Sequence, residues 1–243
     1  MIARLLADGF NITMSDAKEI VFPIYQMLRP DSVVHYGCGD GAFLIQFRGC
    51  GVGRLMGVDV PPQPGGLASN EYTQAALDAP CRIDGPFDLA VCLEVGEHIN
   101  AARAAAFVDN LVRLSPVVLF SAAVPNQGGK NHINEQWPSY WADLFGRHGY
   151  DLHDVVRPVF WNNRTISVWF RQNMVLMVRR DHAAVVEAFK KASPGPVIDF
   201  VHPDQYAEKA VRLDKLLYGR FGPLVYIRLL AKSILRRLGV YRN

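Results

Sequence analysis

The stretch Val33-Val34-His35-Tyr36-Gly37-Cys38-Gly39-Asp40-Gly41-Ala42-Phe43-Leu44 constrains this chain more than any other. Two β-branched residues lead into three glycines at alternate positions, and an apolar, helix-compatible run follows. These residue types read as a buried strand, a tight turn and a helix start. Glycine lets the main chain turn sharply and lets a ligand approach it. The first helical N–H groups then point at whatever is bound there. The spacing is G-x-G-x-G, not the G-x-G-x-x-G of a dinucleotide fold. Leu55-Met56-Gly57-Val58-Asp59 reads as a second strand ending in an acid. Asp59 lies eighteen residues beyond Gly41, room for one helix and a return strand in a βαβ unit. An acid at that point can accept both hydroxyls of a ribose.

Phe87 to Leu93 is a continuous apolar run broken only by Asp88, which suits a parallel strand buried on both faces. Gly37-Cys38-Gly39-Asp40-Gly41, then Asp59, then Phe87 through Ile99 follow one another at intervals that resemble class I S-adenosylmethionine (SAM) methyltransferases. The resemblance covers roughly residues 30 to 180. It implies a doubly wound, seven-stranded, mostly parallel α/β sheet with SAM as cofactor. It also implies that Gly37, Gly39 and Gly41 form the cofactor loop and that Asp59 is the ribose acid. Leu77 and Asp78 fall where the family often contacts adenine, and Glu94 joins the cofactor set. One departure stands out: the family usually has an acid two residues before the first glycine, and here that residue is His35.

The remaining elements follow from pattern. Ser15 can cap a helix over 16–28, with Ile20, Ile24, Met27 and Leu28 at helical spacing and Pro23 interrupting it. In the family such a helix covers the cofactor. Residues 67–80 should hold a short helix and the third strand. A helix is expected over 101–113, the fifth strand over 117–122, a long loop over 124–138 and an amphipathic helix over 139–148. Segments 151–159 and 174–178 read as an antiparallel pair closing the sheet. The expected division is a methyltransferase domain over 1–180 and a helical extension over 181–243, with a break at Pro194-Gly195-Pro196.

Glu94, Glu97 and His98 stand at the end of the fourth strand, and positions three and four apart share one face of a helix. The loop after the fifth strand adds Gly128-Gly129-Lys130-Asn131-His132-Ile133-Asn134-Glu135-Gln136-Trp137. E-x-x-E-H followed by a later histidine resembles metal-dependent small-RNA 2′-O-methyltransferases, in which an ion grips two neighbouring ribose hydroxyls. That resemblance implies Glu94, Glu97, His98 and His132 as ligands of Mg²⁺ or Mn²⁺. In relatives that bind no metal, the same pattern leaves Glu94 as a loop cap and His98 as a cofactor or substrate contact. His132 is the candidate base or ligand, with Glu97 and His98 beside it as catalytic candidates. Arg157-Pro158-Val159-Phe160-Trp161-Asn162-Asn163-Arg164 mixes aromatic and polar residues, and reads either as a sugar-binding strip or as a hairpin with a structural Trp. Such patterns look similar to bacterial enzymes that methylate sugars in polysaccharides and glycosylated natural products.

Composition narrows the partners. A net charge of +3 over 243 residues is too small to imply a nucleic-acid partner. The first choice of acceptor, implied by the resemblance to sugar-methylating enzymes, is a sugar hydroxyl on a small molecule or oligosaccharide. RNA 2′-O-methylation and a non-catalytic SAM-binding scaffold are the rivals. Cys38, Cys50, Cys81 and Cys92 show no C-x-x-C spacing and read as reduced cytosolic thiols. There is no basic-then-apolar leader pattern and no run of 18 apolar residues, so a cytoplasmic location is expected. From Val211 to Asn243 there are eight Lys/Arg and one Asp, and Arg228, Lys232 and Arg236 line one helical face. That face suits an anionic membrane, or packing on the domain or on a second subunit as a homodimer.

Overall fold

A computed structural model describes residues 14–60, 62–80, 82–182 and 199–238, together with Val185 and Glu187. The first 13 residues, Cys81 and the Pro194-Gly195-Pro196 break lie outside the described residues. The chain divides into two compact units, one ending at Phe200 and one beginning at Val201.

The first unit is a seven-stranded sheet. Its strands are β1 (Ser32–Tyr36), β2 (Arg54–Asp59), β3 (Tyr72–Gln74), β4 (Leu89–Leu93), β5 (Val117–Ser121), β6 (Tyr150–His153) and β7 (Val175–Arg179). Their order across the sheet is β3-β2-β1-β4-β5-β7-β6. β1 to β5 pair in parallel, while β7 runs antiparallel to both β5 and β6. β4 and β5 are buried along their whole length, as expected for strands covered on both faces. One apolar layer joins α1 (Met14–Leu28) and α2 (Ala42–Gly49) to the sheet through Ile20, Ile24, Phe43 and Phe47. The other joins α3 (Ala104–Leu114) and α4 (Pro138–Gly146) through Phe107, Leu111, Trp141 and Phe145. The strand order reverses between β1 and β4. Open α/β sheets bind ligands in the crevice at the carboxyl ends of strands that meet in this way.

The short helix and third strand expected over 67–80 are a 3-10 turn, Ser69–Glu71, and the three-residue β3. Two expectations change. α1 runs unbroken through Pro23. The predicted strand over 151–159 stops at His153, and α5 (Arg157–Phe160) follows. Pro158 has no N–H to give to a ladder. Asp154 accepts from Arg157 Nε and Nη2 at 2.7 and 2.8 Å, an i,i+3 pair that closes a helical turn instead. The short α6 (Val168–Asn173) then leads into β7.

The second unit contains α7 (Pro203–Leu217) and α8 (Pro223–Arg237), joined by a short turn. Among the described residues, no helix is long and apolar enough to cross a membrane.

Candidate active site

The cofactor half of the site is built from the turn after β1. Gly37, Gly39 and Gly41 all have positive φ, at 84, 54 and 80°, a region that other residues enter at a cost. A Cβ on Gly37 would also run into the Val95 side chain, so the turn and the segment after β4 are in direct contact. Around Gly39 there is open space instead. Gly39 N donates to Asp59 Oδ2 at 2.7 Å and Val60 N donates to Asp59 Oδ1 at 2.6 Å. Asp59 thus clamps the turn, and each carboxylate oxygen retains acceptor capacity for a hydroxyl. Burial pushes the Asp59 carboxyl up, while these two amides favour its charged form.

Leu77 lies against the same turn: its Cδ1 is 3.5 Å from where a Gly37 Cβ would sit. Its carbonyl accepts from Tyr36 Oη at 3.0 Å. Asp78 follows it in a half-buried turn. His35 is fully buried, with neither ring nitrogen hydrogen-bonded, and it meets Phe43 edge-on at 5.5 Å. Burial lowers its pKa from 6.5 to about 3, so the position that is usually acidic in the family is neutral here.

The acceptor half is built from the segments after β4 and β5. Glu94 has φ 53° and is buried. Its Oε1 accepts from Asn173 Nδ2 and its Oε2 from Gln127 Nε2, each at 3.0 Å. A 3-10 turn, Gly96–His98, begins only after that left-handed residue. Glu97 has no exposed surface, and neither carboxylate oxygen is in a hydrogen bond. Burial, and secondarily the charge of Glu94, holds the Glu97 carboxyl well above the usual range.

The loop after β5 folds onto this turn, because Ile133 N and Asn134 N both donate to the Glu97 carbonyl, at 2.9 and 3.0 Å. His132 Nε2 comes to 3.9 Å from Glu97 Oε1, and the His132 ring meets His98 edge-on at 5.0 Å. His98 Nδ1 lies 3.2 Å from the Asn131 carbonyl, and burial followed by His132 lowers its pKa. Gly129 is required here, because a Cβ on it would overlap the His132 ring.

Glu135 organises the loop. Its Oε2 accepts from Asn126 N at 2.8 Å and its Oε1 from Gly128 N at 2.6 Å. The same Oε1 lies 2.9 Å from His132 Nδ1. A carboxylate only accepts, so in the neutral ring the proton sits on Nδ1 and the acceptor nitrogen is Nε2, 3.9 Å from Glu97 Oε1.

Glu97, His98 and His132 each offer a ligand atom, and these atoms all lie within 4.8 Å of one another. Glu94 leaves the expected four-ligand set. A continuous helix would have placed it on the same face as Glu97 and His98, but its left-handed backbone and its two amide donors turn its carboxylate to Asn173 and Gln127. The Glu135 and Asn173 contacts were absent from the sequence reading. The three-residue step from His132 to Glu135 was the available signal for the first, and nothing local signals the second. Arg157 is committed to Asp154 and stacks on Phe200 at 4.1 Å, while Trp161 meets Phe200 at 5.1 Å. That stretch is structural at those two residues and leaves Asn162 and Arg164 exposed.

A parallel sheet with a glycine turn, a ribose-type acid and a polar cluster at adjoining strand ends defines a nucleotide-cofactor transferase of the methyltransferase type. A family described as a methyltransferase domain matches residues 15–173. The chain belongs to that family. It is 33% identical over 72 residues to the ribosomal protein L11 methyltransferase of Burkholderia mallei, which is 27% of this chain and 24% of that protein. The chain thus spans about a quarter of the length of the curated relatives it matches. The solved structure of small RNA methyltransferase HEN1 is 16% identical with a TM-score of 0.50, over 72% of this chain and 27% of that one. Magnesium protoporphyrin IX methyltransferase from Synechocystis PCC 6803, solved with S-adenosylhomocysteine, is 18% identical with a TM-score of 0.49, over 72% of this chain and 91% of that one.

Proposed function

We propose that this methyltransferase acts on oxygen, moving the SAM methyl to a sugar hydroxyl of a glycan, an oligosaccharide or a glycosylated small molecule. The observation that carries the reading is the convergence of Glu97, His98 and His132 beside the segment that touches the glycine turn. Alkylation of a hydroxyl needs a group that takes its proton, and a neutral imidazole with an inward lone pair suits that task near pH 7. In the step, the acceptor oxygen bonds to the methyl carbon and the carbon–sulfur bond breaks. S-adenosylhomocysteine leaves, and the hydroxyl proton passes to His132 Nε2. Glu135 keeps His132 in the tautomer that can receive it, and the Glu97 carbonyl anchors the loop that carries it.

The same three side chains would instead fit a divalent cation, in which case His132 Nε2 is a ligand rather than the proton acceptor. Neither oxygen of buried Glu97 is in a hydrogen bond, and only the backbone amides of Glu97 and Ala123 favour its charged form; a set of one carboxylate and two imidazoles suits Mn²⁺ or a similar transition ion better than Mg²⁺. When bound, such an ion lowers the pKa of the hydroxyl and orients it. The charge balance supports a neutral acceptor. Residues 1–200 carry 17 Lys/Arg against 20 Asp/Glu, a poor match for the phosphates of RNA.

Purified protein with methyl-labelled SAM, offered oligosaccharide fractions and short RNA in parallel, tests the reading. Label in the glycan fraction is expected. Label in RNA, or SAM binding without transfer to either, overturns the acceptor assignment.

A further inference from the structure

The second unit carries an apolar surface that the methyltransferase chemistry does not use. On α8, Val225 and Leu229 face α7 and line a cavity of about 490 Å³ with Val211 and Leu216. The hydroxyl of Tyr226 ties the two helices by reaching the Lys215 carbonyl at 3.0 Å. Ile227 lies two residues from both Val225 and Leu229, about half a turn round the helix, and so points away from α7. Leu224, Ile227, Leu230, Ile234 and Leu238 share that outward arc and are 76, 61, 63, 49 and 68% exposed.

Cations border the arc on both sides. Arg228 stands beside Leu224 at one edge and Arg237 beside Leu230 at the other, while Lys232 and Arg236, seven residues from Val225 and Leu229, follow round toward the α7 side. From Gly219 to Asn243 the sequence has six Lys/Arg and no Asp or Glu. A surface of this kind is complementary to an anionic one that also accepts apolar side chains. The long stems of Lys and Arg can lie over an apolar boundary while their heads stay at a charged interface. At 15 residues α8 is too short to span a bilayer, so the geometry suits a helix lying in the interface plane.

We infer that α8 seats the protein on an anionic lipid bilayer, with the Leu224–Leu238 arc in the acyl boundary and the flanking cations at the headgroups. The absence of any acid over 219–243 favours lipid over a second copy of this chain, because two such surfaces facing each other would set cation against cation.

Full-length chain is mixed with vesicles of phosphatidylcholine alone, or of phosphatidylcholine with phosphatidylglycerol, and sedimented at low salt. Binding to the anionic vesicles is expected to be about tenfold or more above the neutral ones and to be released at about 0.5 M salt. A charge variant (Arg228→Gln with Arg237→Gln) and an arc variant (Ile227→Glu with Leu230→Glu) should each lose it about tenfold. Both variants should bind SAM as the parent does by calorimetry, which reports folding of the first unit independently. No sedimentation at low salt, equal sedimentation by both vesicles, or a salt-resistant dimer that the arc variant dissociates would each overturn the proposal. The last outcome would assign the arc to a second copy.

Discussion

Against the turn after β1, the buried Asp59 carboxylate at the end of β2 is clamped by two backbone amides, Gly39 N and Val60 N. At the end of the neighbouring β4, the buried Glu97 carboxylate accepts from nothing, and the closest candidate, His132 Nε2, stops at 3.9 Å. The first arrangement is complete in itself and presents a shaped surface to a cofactor. The second holds a buried carboxyl, pushed toward its neutral form, with no hydrogen bond to either oxygen, which is costly for the charged form unless something enters beside it. A closed arrangement and an open one therefore sit at neighbouring strand ends of one sheet. Under the proposed function, the first would hold the cofactor and the second would handle a proton or an ion.

Substitutions should separate the two halves cleanly. The largest effect is expected from His132→Ala, which should cost about 10²–10⁴-fold in turnover and leave SAM affinity unchanged by calorimetry. A matching loss of SAM affinity would merge the halves. Asp59→Ala should do the reverse and act at cofactor binding. Losing charge-assisted hydrogen bonds worth about 1.5–3 kcal/mol weakens SAM by about 10- to 150-fold. Unchanged affinity would remove Asp59 from the cofactor site. Glu135→Gln should cost about tenfold through loss of the carboxylate that fixes the His132 tautomer. Turnover equal to the parent would mean that another group orients the ring.

A further effect bears on stability alone and on neither half's chemistry. With His35 at about 3 in the fold and 6.5 when unfolded, the unfolded chain binds a proton between those values that the folded chain does not. The His35 contribution is complete above pH 6.5 and is lost as pH falls toward 3, by about 1.4 kcal/mol per pH unit. Denaturant titrations of the parent and of His35→Asn should diverge over that window, with the parent losing stability faster on acidification.

The β1 half was legible in the sequence because its parts are local. The glycine spacing, the strand before it and the acid one βα unit later are all short-range features, and the structure assembles them as read. The β4 half was legible only as a residue set. Which of its members converge depends on the left-handed backbone at Glu94 and on Asn173, 79 positions further along the chain. No periodicity encodes either. The grouping of Glu97, His98 and His132 was readable, while the diversion of Glu94 to Asn173 and Gln127 was not. The strand over 151–159 failed for a related reason. Its apolar pattern was visible, but the Asp154–Arg157 pair and Pro158 decide the local geometry.

The direct measurement of the central claim is Mn²⁺ titration followed by electron paramagnetic resonance, on the parent and on Glu97→Gln, with SAM calorimetry alongside. The parent should bind about one Mn²⁺ per chain, and Glu97→Gln should lose that site while keeping its SAM affinity. Excess chelator should abolish methyl transfer, and Mg²⁺ or Mn²⁺ should restore it. No Mn²⁺ bound by the parent, together with full methyl transfer in chelator, would contradict the ion site and leave His132 as the base acting alone.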